Sequence, residues 1–140
     1  DEAVMRSQAA DARYMLAKLY RNAAPRVELQ LGEQLLDAAL EQLQAAEANY
    51  DDIRRDYATG SVIDAQHAKQ SIVGKSKRVY AQALEILLYL REDPVSAWQW
   101  AQKAKARALS DMLGTSIQLP VQMQEALQEH PSALALLSDE

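Results

Sequence analysis

Leu36-Asp37-Ala38-Ala39-Leu40-Glu41-Gln42-Leu43-Gln44-Ala45-Ala46-Glu47-Ala48-Asn49-Tyr50-Asp51-Asp52-Ile53-Arg54-Arg55-Asp56-Tyr57 is the stretch that decides the fold. Leu36, Ala39, Leu43, Ala46, Tyr50, Ile53 and Tyr57 recur at alternating steps of three and four residues, which is the period of one helix face. Leu35 and Leu40 widen the line on one side, making a coiled-coil-like seam of three heptads. The spacing predicts a long helix, α2, over 27–57. A second line, Ile72, Val79, Ala83, Ile86 and Leu90, interrupted by Ser76, predicts α3 over 62–92. Tyr80, Leu84, Leu87 and Leu88 broaden the C-terminal half of α3, which is therefore expected to be the more completely buried half. Helices of roughly 30 residues are about 45 Å long. Joined by the short turn Ala58-Thr59-Gly60-Ser61, the two are expected to fold back as an antiparallel hairpin.

Outward from this hairpin the punctuation is sparse. Breaks at Asn22-Ala23-Ala24-Pro25 and Glu92-Asp93-Pro94 bound α1 over 2–22 and α4 over 94–113, and two short helical pieces are expected near 120–129 and 132–138. Asp93 is a natural N-cap with Pro94 at the first helical position, and Gly114 suits the left-handed position past the end of α4. Along α4, Ala97, Ala101, Ala104 and Ala108 form a small-residue stripe that admits a close neighbour. Gly74 lies inside α3 and marks a kink, a close approach, or a weak point costing about 1 kcal/mol relative to Ala. The expected architecture is all-α: an antiparallel helical bundle or tetratricopeptide-like α-α hairpins around a long central hairpin. Residues 1–114 form the scaffold, and 115–140 form a linker with short helices leading to a further domain.

Composition excludes several chemistries. The chain of 140 residues contains no Cys, so it has no disulfide, thiol nucleophile or thiolate metal site. His67 and His130 stand alone, without the companions a zinc site needs, and read as a surface histidine and a helix-end residue. No cofactor, metal or catalytic residue is expected. Phe is absent, and Ala, Leu, Gln and Glu dominate, a helix-favouring mixture. The net charge of −5 argues against nucleic-acid partners, and no apolar run is long enough for a membrane. A cytoplasmic location is expected. The chain opens on Asp1 rather than Met, and is expected to be processed or excised from a longer one.

The remaining polar clusters have two readings each. Lys103, Lys105 and Arg107, joined by Arg91, form either an anion or acidic-partner site or a solvated face with Arg107 paired to a carboxylate. Lys69, Lys75, Lys77, Arg78 and His67 form a second basic cluster that Arg54 and Arg55 would extend and Asp51, Asp52 and Asp56 would neutralise. Glu47, Asp51, Asp52 and Asp56 could pair for general acid/base or metal work, but nothing converges on them and no Glu-x-x-His spacing occurs on two helices, so they read as solvated helix charges. Trp98 and Trp100 lie about 200° apart around their helix, so one packs inward while the other sits at a rim or partner surface. The candidate partner interface is Trp98, Trp100, Lys103 and Arg107.

Residues 80–104, Tyr-Ala-Gln-Ala-Leu-Glu-Ile-Leu-Leu-Tyr-Leu-Arg-Glu-Asp-Pro-Val-Ser-Ala-Trp-Gln-Trp-Ala-Gln-Lys-Ala, resemble a tetratricopeptide repeat at Leu84, Ala97 and Ala104 and depart from it at Glu85 and Ala101. Trp100-Ala101-Gln102-Lys103-Ala104-Lys105-Ala106-Arg107-Ala108-Leu109-Ser110-Asp111-Met112-Leu113-Gly114 is similar to the helix between the repeats and the caspase-like domain of CHAT-domain proteins. The Leu-Pro at Leu119-Pro120 is compatible with the linker that follows it there. The resemblance implies a non-catalytic regulatory or partner-sensing scaffold beside a caspase-like CHAT protease domain. Its partner would be that domain or another protein, and the monomeric or homodimeric state is left open. The alternative is a self-associating coiled-coil-like bundle that oligomerises through the α2 seam.

Overall fold

The computed structural model describes residues 2–57 and 62–112. They form four α-helices and no strand: α1 Glu2–Ala23, α2 Leu29–Tyr57, α3 Val62–Glu85 and α4 Pro94–Met112. The turn at 58–61, the Gly114 cap and the short helices expected near 120–129 and 132–138 lie outside the described residues, as do the side chains of Tyr57, His67 and Lys69 and the whole of His130.

Side-chain pairings give the helix directions. Arg6 meets Asp56, and the Tyr50 hydroxyl donates to Asp11, so α1 and α2 run antiparallel. Arg54 donates to Ser76 and Tyr80 donates to Glu47, so α2 and α3 do too. Lys75 on Asp11 and Arg21 on Glu85 set α1 alongside α3 in the same direction. Arg107 on Glu47 and Arg54 on Asp111 do the same for α2 and α4.

The α2 seam is the centre of the core. Leu36, Ala39, Leu43, Ala46, Tyr50 and Ile53 are buried against Ala10, Tyr14 and Ala17 of α1, against Ile72, Val79 and Ala83 of α3, and against Ile86 just past its end. Alanines on all three helices keep the core narrow, and the large side chains Leu43, Tyr50, Ile53 and Ile86 fill the space between them. Each such side chain contributes about 1.5–3 kcal/mol through burial.

Both ends of the long helices depart from simple periodicity. Pro25 sits in a 3₁₀ turn, Ala24–Arg26, and Val27 is extended, so α2 begins at Leu29 rather than at 27. At its other end α3 widens into a π turn, Ile86–Leu90. The Arg91 N–H donates to the Ile86 carbonyl at 2.9 Å, and the Asp93 N–H to the Leu87 carbonyl at 2.7 Å. This extra residue carries the chain off the α-helical line. Leu88 and Leu90, expected inside, are exposed together with Tyr89, whereas Tyr80 and Leu87 remain buried. Glu92 closes the helix at φ 51°, a left-handed conformation usually taken by glycine.

Two glycines have opposite roles. A Cβ at Gly32 would stand 2.7 Å from the Ala24 carbonyl oxygen, where the first turn of α2 crosses the 3₁₀ turn. A Cβ at Gly74 would meet nothing within 4 Å, so that residue is neither a close approach nor a packing feature. Gly74→Ala is expected to raise stability by about 0.5–1 kcal/mol. Gly32→Ala is expected to lower it by about 1–3 kcal/mol, because backbone must move to admit the methyl. Urea midpoints of the two variants should move in opposite directions; movement in the same direction would contradict the close approach at Gly32.

Candidate functional site

Helix α4 is attached by its start and its inner face. The Ser96 N–H donates to Asp93 Oδ1 at 3.1 Å, and the Ala97 N–H to the Asp93 carbonyl at 3.1 Å, so Asp93 caps the helix that Pro94 opens. The Ser96 hydroxyl and then the Ser96 N–H, both hydrogen-bonded to the carboxylate, hold the Asp93 carboxyl below the usual aspartate range. The sign follows: a carboxyl with a depressed folded-state pKa stabilises the fold above its unfolded pKa, and this contribution is lost as pH falls through the folded one. An NMR titration should therefore give Asp93 a midpoint below that of an unfolded-chain aspartate. An ordinary midpoint would remove the cap from the account of this corner.

Beyond the cap, Ala97 and Gln102 are buried. Trp100 packs edge-on to Tyr80, with ring centroids 5.9 Å apart at 71°. Lys103 lies over the Trp100 ring with Nζ 5.5 Å from its centre. Trp98 points outward and is 40% exposed, as do Val95, Leu109 and Met112. The four residues of the candidate interface thus do not share one surface. Trp98 and Lys103 are exposed, Trp100 is half-buried against the core, and Arg107 is directed at α2.

Arg107 belongs to a polar network that joins three helices. It approaches Asp51 at 2.7 Å and Glu47 at 3.2 Å, and Glu47 also accepts from the Tyr80 hydroxyl at 2.9 Å. Burial lowers the Arg107 pKa, but the carboxylates of Asp51 and Glu47 outweigh it and leave the guanidinium above its ordinary value. Burial, then the charge and hydrogen-bond acceptance of Glu47, push the Tyr80 phenol up. Beside them Arg54 is 5% exposed. It donates to Ser76 Oγ at 3.1 Å and pairs with Asp111 at 3.2 Å and Asp51 at 3.7 Å.

This network corrects the reading of Glu47 and Asp51 as solvated charges. Their side chains retain 17% and 16% of their exposure because Arg107 of α4 folds across them. Asp52 and Asp56 are the exposed members of that set. Arg54 is likewise no part of a surface basic patch, Lys75 pairs with Asp11, and Arg78 stacks over Tyr14.

Between α3 and α4 lies a groove of about 230 Å³. Val73, Ala81, Leu84, Ala104 and Ala108 line it, Arg54 of α2 closes its base, and Lys77, Arg107 and Asp111 flank it. Residue periodicity did not reveal the groove. Its one local trace is Ser76, a polar residue on the apolar line of α3, which is the partner of the buried Arg54. Among the described residues no three His, Cys, Asp or Glu side chains gather to hold a metal, and no helix is long and apolar enough to cross a membrane.

No protein-family model matches the chain, and no curated protein or solved structure matches it.

Proposed function

We propose that this chain is a non-catalytic helical interaction scaffold, a tetratricopeptide-like antiparallel bundle that serves as the regulatory segment beside a caspase-like CHAT protease domain. The observation that carries the reading is the two-sidedness of α4. Its motif residues Arg107 and Asp111 are bound to α2, which orients the helix, while Trp98, Leu109 and Met112 stand outward without a described partner surface. Exposed large apolar side chains on a firmly held helix are the expected form of a docking face. Lys103, over the Trp100 ring, adds one cation to its edge. The partner is a protein domain rather than nucleic acid or a lipid bilayer, and the proposed compartment is the cytoplasm.

Self-association through α2 is the poorer reading. The seam from Leu36 to Ile53 is buried within one chain and offers a second copy no surface.

The test begins with the polypeptide encoded after Glu140 in the parent reading frame. A caspase-like domain is expected there, and calorimetry should show that it binds the 140-residue protein. Trp98→Ala and Leu109→Asp should each weaken binding at least about tenfold, equivalent to about 1.4 kcal/mol. Absence of such a domain, or binding indifferent to both substitutions, overturns the proposal.

A further inference from the structure

Helix α1 has two apolar faces, and only one of them meets the bundle. Ala10, Tyr14 and Ala17 join the core with α2 and α3. On the opposite side Val4, Met5, Met15 and Leu19 keep between 51% and 67% of their surface in solvent. Met5, Gln8, Ala12, Met15, Leu19 and Asn22 recur at steps of three and four residues, the spacing of a second seam. An arc of about 140° around that seam holds no charged side chain from Val4 to Ala23. The outward face of α2 is ordinary by comparison, with Asp37, Glu41, Asp52 and Arg55 exposed along it.

We propose that this face pairs with the same face of a second copy, the two α1 helices running antiparallel about a two-fold axis between Arg13 and Tyr14. The size of the face suits such a pair. Its exposed side chains come to roughly 600 Å² per copy, so a symmetric pair would bury about 1,200 Å², the lower end of a stable interface. A patch of that extent is also at the upper limit of what a lone monomer usually leaves in water.

Shape and charge make the face complementary to itself in that direction. The antiparallel register sets Ala12 opposite Met15 of the second copy, and the two-fold repeats the small-on-large layer on the other side of the axis. A parallel register would set Ala12 on Ala12 and leave a gap between the backbones. Asp11 and Lys18 stand on one flank of the seam, seven residues apart. The two-fold brings Asp11 of each chain beside Lys18 of the other, whereas parallel helices would bring them beside Leu16 and Ala23, which carry no charge. Asp11 keeps 40% of its side-chain exposure despite its contacts with Tyr50 and Lys75, so it remains open to a second cation. The inference concerns a different helix from α4 and does not depend on the proposed protease partner. The α2 seam stays within each chain.

Light scattering on the full 140-residue protein should show a reversible monomer–dimer equilibrium that shifts with concentration. Met15→Glu combined with Leu19→Glu should weaken association at least about tenfold while helix content stays unchanged, because both side chains are exposed in the monomer. Met15→Ala combined with Leu19→Ala should weaken it too, without adding charge. Orientation is read from a spin label. Because the chain has no cysteine, Glu2→Cys gives a single nitroxide site off the seam. In the antiparallel pair pulsed electron paramagnetic resonance should find the two labels roughly 35 Å apart, twice the rise from Glu2 to the axis. A label separation within about 20 Å would mean parallel helices at ordinary packing distance, and would overturn the proposal. A monomer at every concentration, or a dimer that both double variants leave unchanged, overturns it as well.

Discussion

Leu43→Ala lowers the stability of this fold by about 3–5 kcal/mol, toward the upper end for a buried leucine. Leu43 has no solvent exposure, and its neighbours along the seam, Ala39 and Ala46, are equally buried and already as small as a helix permits. Those neighbours have no side chain that can swing into the space left by the isobutyl group. The cavity therefore persists, and its unfilled volume adds to the lost transfer free energy. A domain of this size has about 5–15 kcal/mol in total, so the loss is a large fraction of what holds it folded. Urea unfolding followed by far-UV circular dichroism should show a lower midpoint with an unchanged slope. Leu43→Met, which nearly conserves volume, should cost less than about 1.5 kcal/mol. A Leu43→Ala loss below about 1 kcal/mol would mean that the seam is not the centre of the core. The same samples decide the oligomer question by light scattering: a wild-type dimer that Leu43→Asp dissociates would show that the seam is shared between chains.

The seam was legible because its information is local and repeated. Seven residues at helical spacing mark one face, and the six from Leu36 to Ile53 whose side chains are described lie where α1 and α3 pack. The start of α4 was legible for a related reason: Asp93 and Pro94 act on the backbone within one turn. The split between Trp98 and Trp100 followed from helix geometry alone. Features set by distant segments were not legible. Glu47 and Asp51 have the spacing of surface charges, and only the return of α4, which brings Arg107 across them, removes them from solvent. Leu90 has the spacing of a core residue until the π turn inserts its extra position, and no residue type in Ile86–Leu90 announces that turn. Gly32 and Gly74 look alike as single helical glycines, and the Ala24 carbonyl alone distinguishes them. The groove belongs to the same class, because it depends on how far apart α3 and α4 stand over Arg54.

Arg54→Met is the second large effect, expected to cost about 3–5 kcal/mol. The methionine replaces much of the aliphatic volume, so the loss measures charge and hydrogen bonding rather than a cavity. Arg54 connects α2 with α3 through Ser76 and α2 with α4 through Asp111, whose side chain keeps 14% of its exposure. Without the guanidinium, Asp111 becomes a poorly solvated carboxylate with no cation beside it, and the Ser76 hydroxyl loses its donor. Asp51 suffers less, because Arg107 and Arg55 remain at 2.7 and 2.9 Å. Arg54→Lys is no rescue: one ammonium on a flexible stem cannot reproduce the planar fork that reaches three partners on three helices. A second substitution separates the cost of an orphaned charge from the worth of the pair. Asp111→Leu added to Arg54→Met removes the buried carboxylate, and the double variant should recover roughly 1–3 kcal/mol relative to Arg54→Met alone. Recovery of that size would show that the ion pair orders the end of α4 more than it stabilises the fold. If the two substitutions instead add without coupling, Arg54 and Asp111 are not partners, and the attachment of α4 to α2 rests on Arg107 alone.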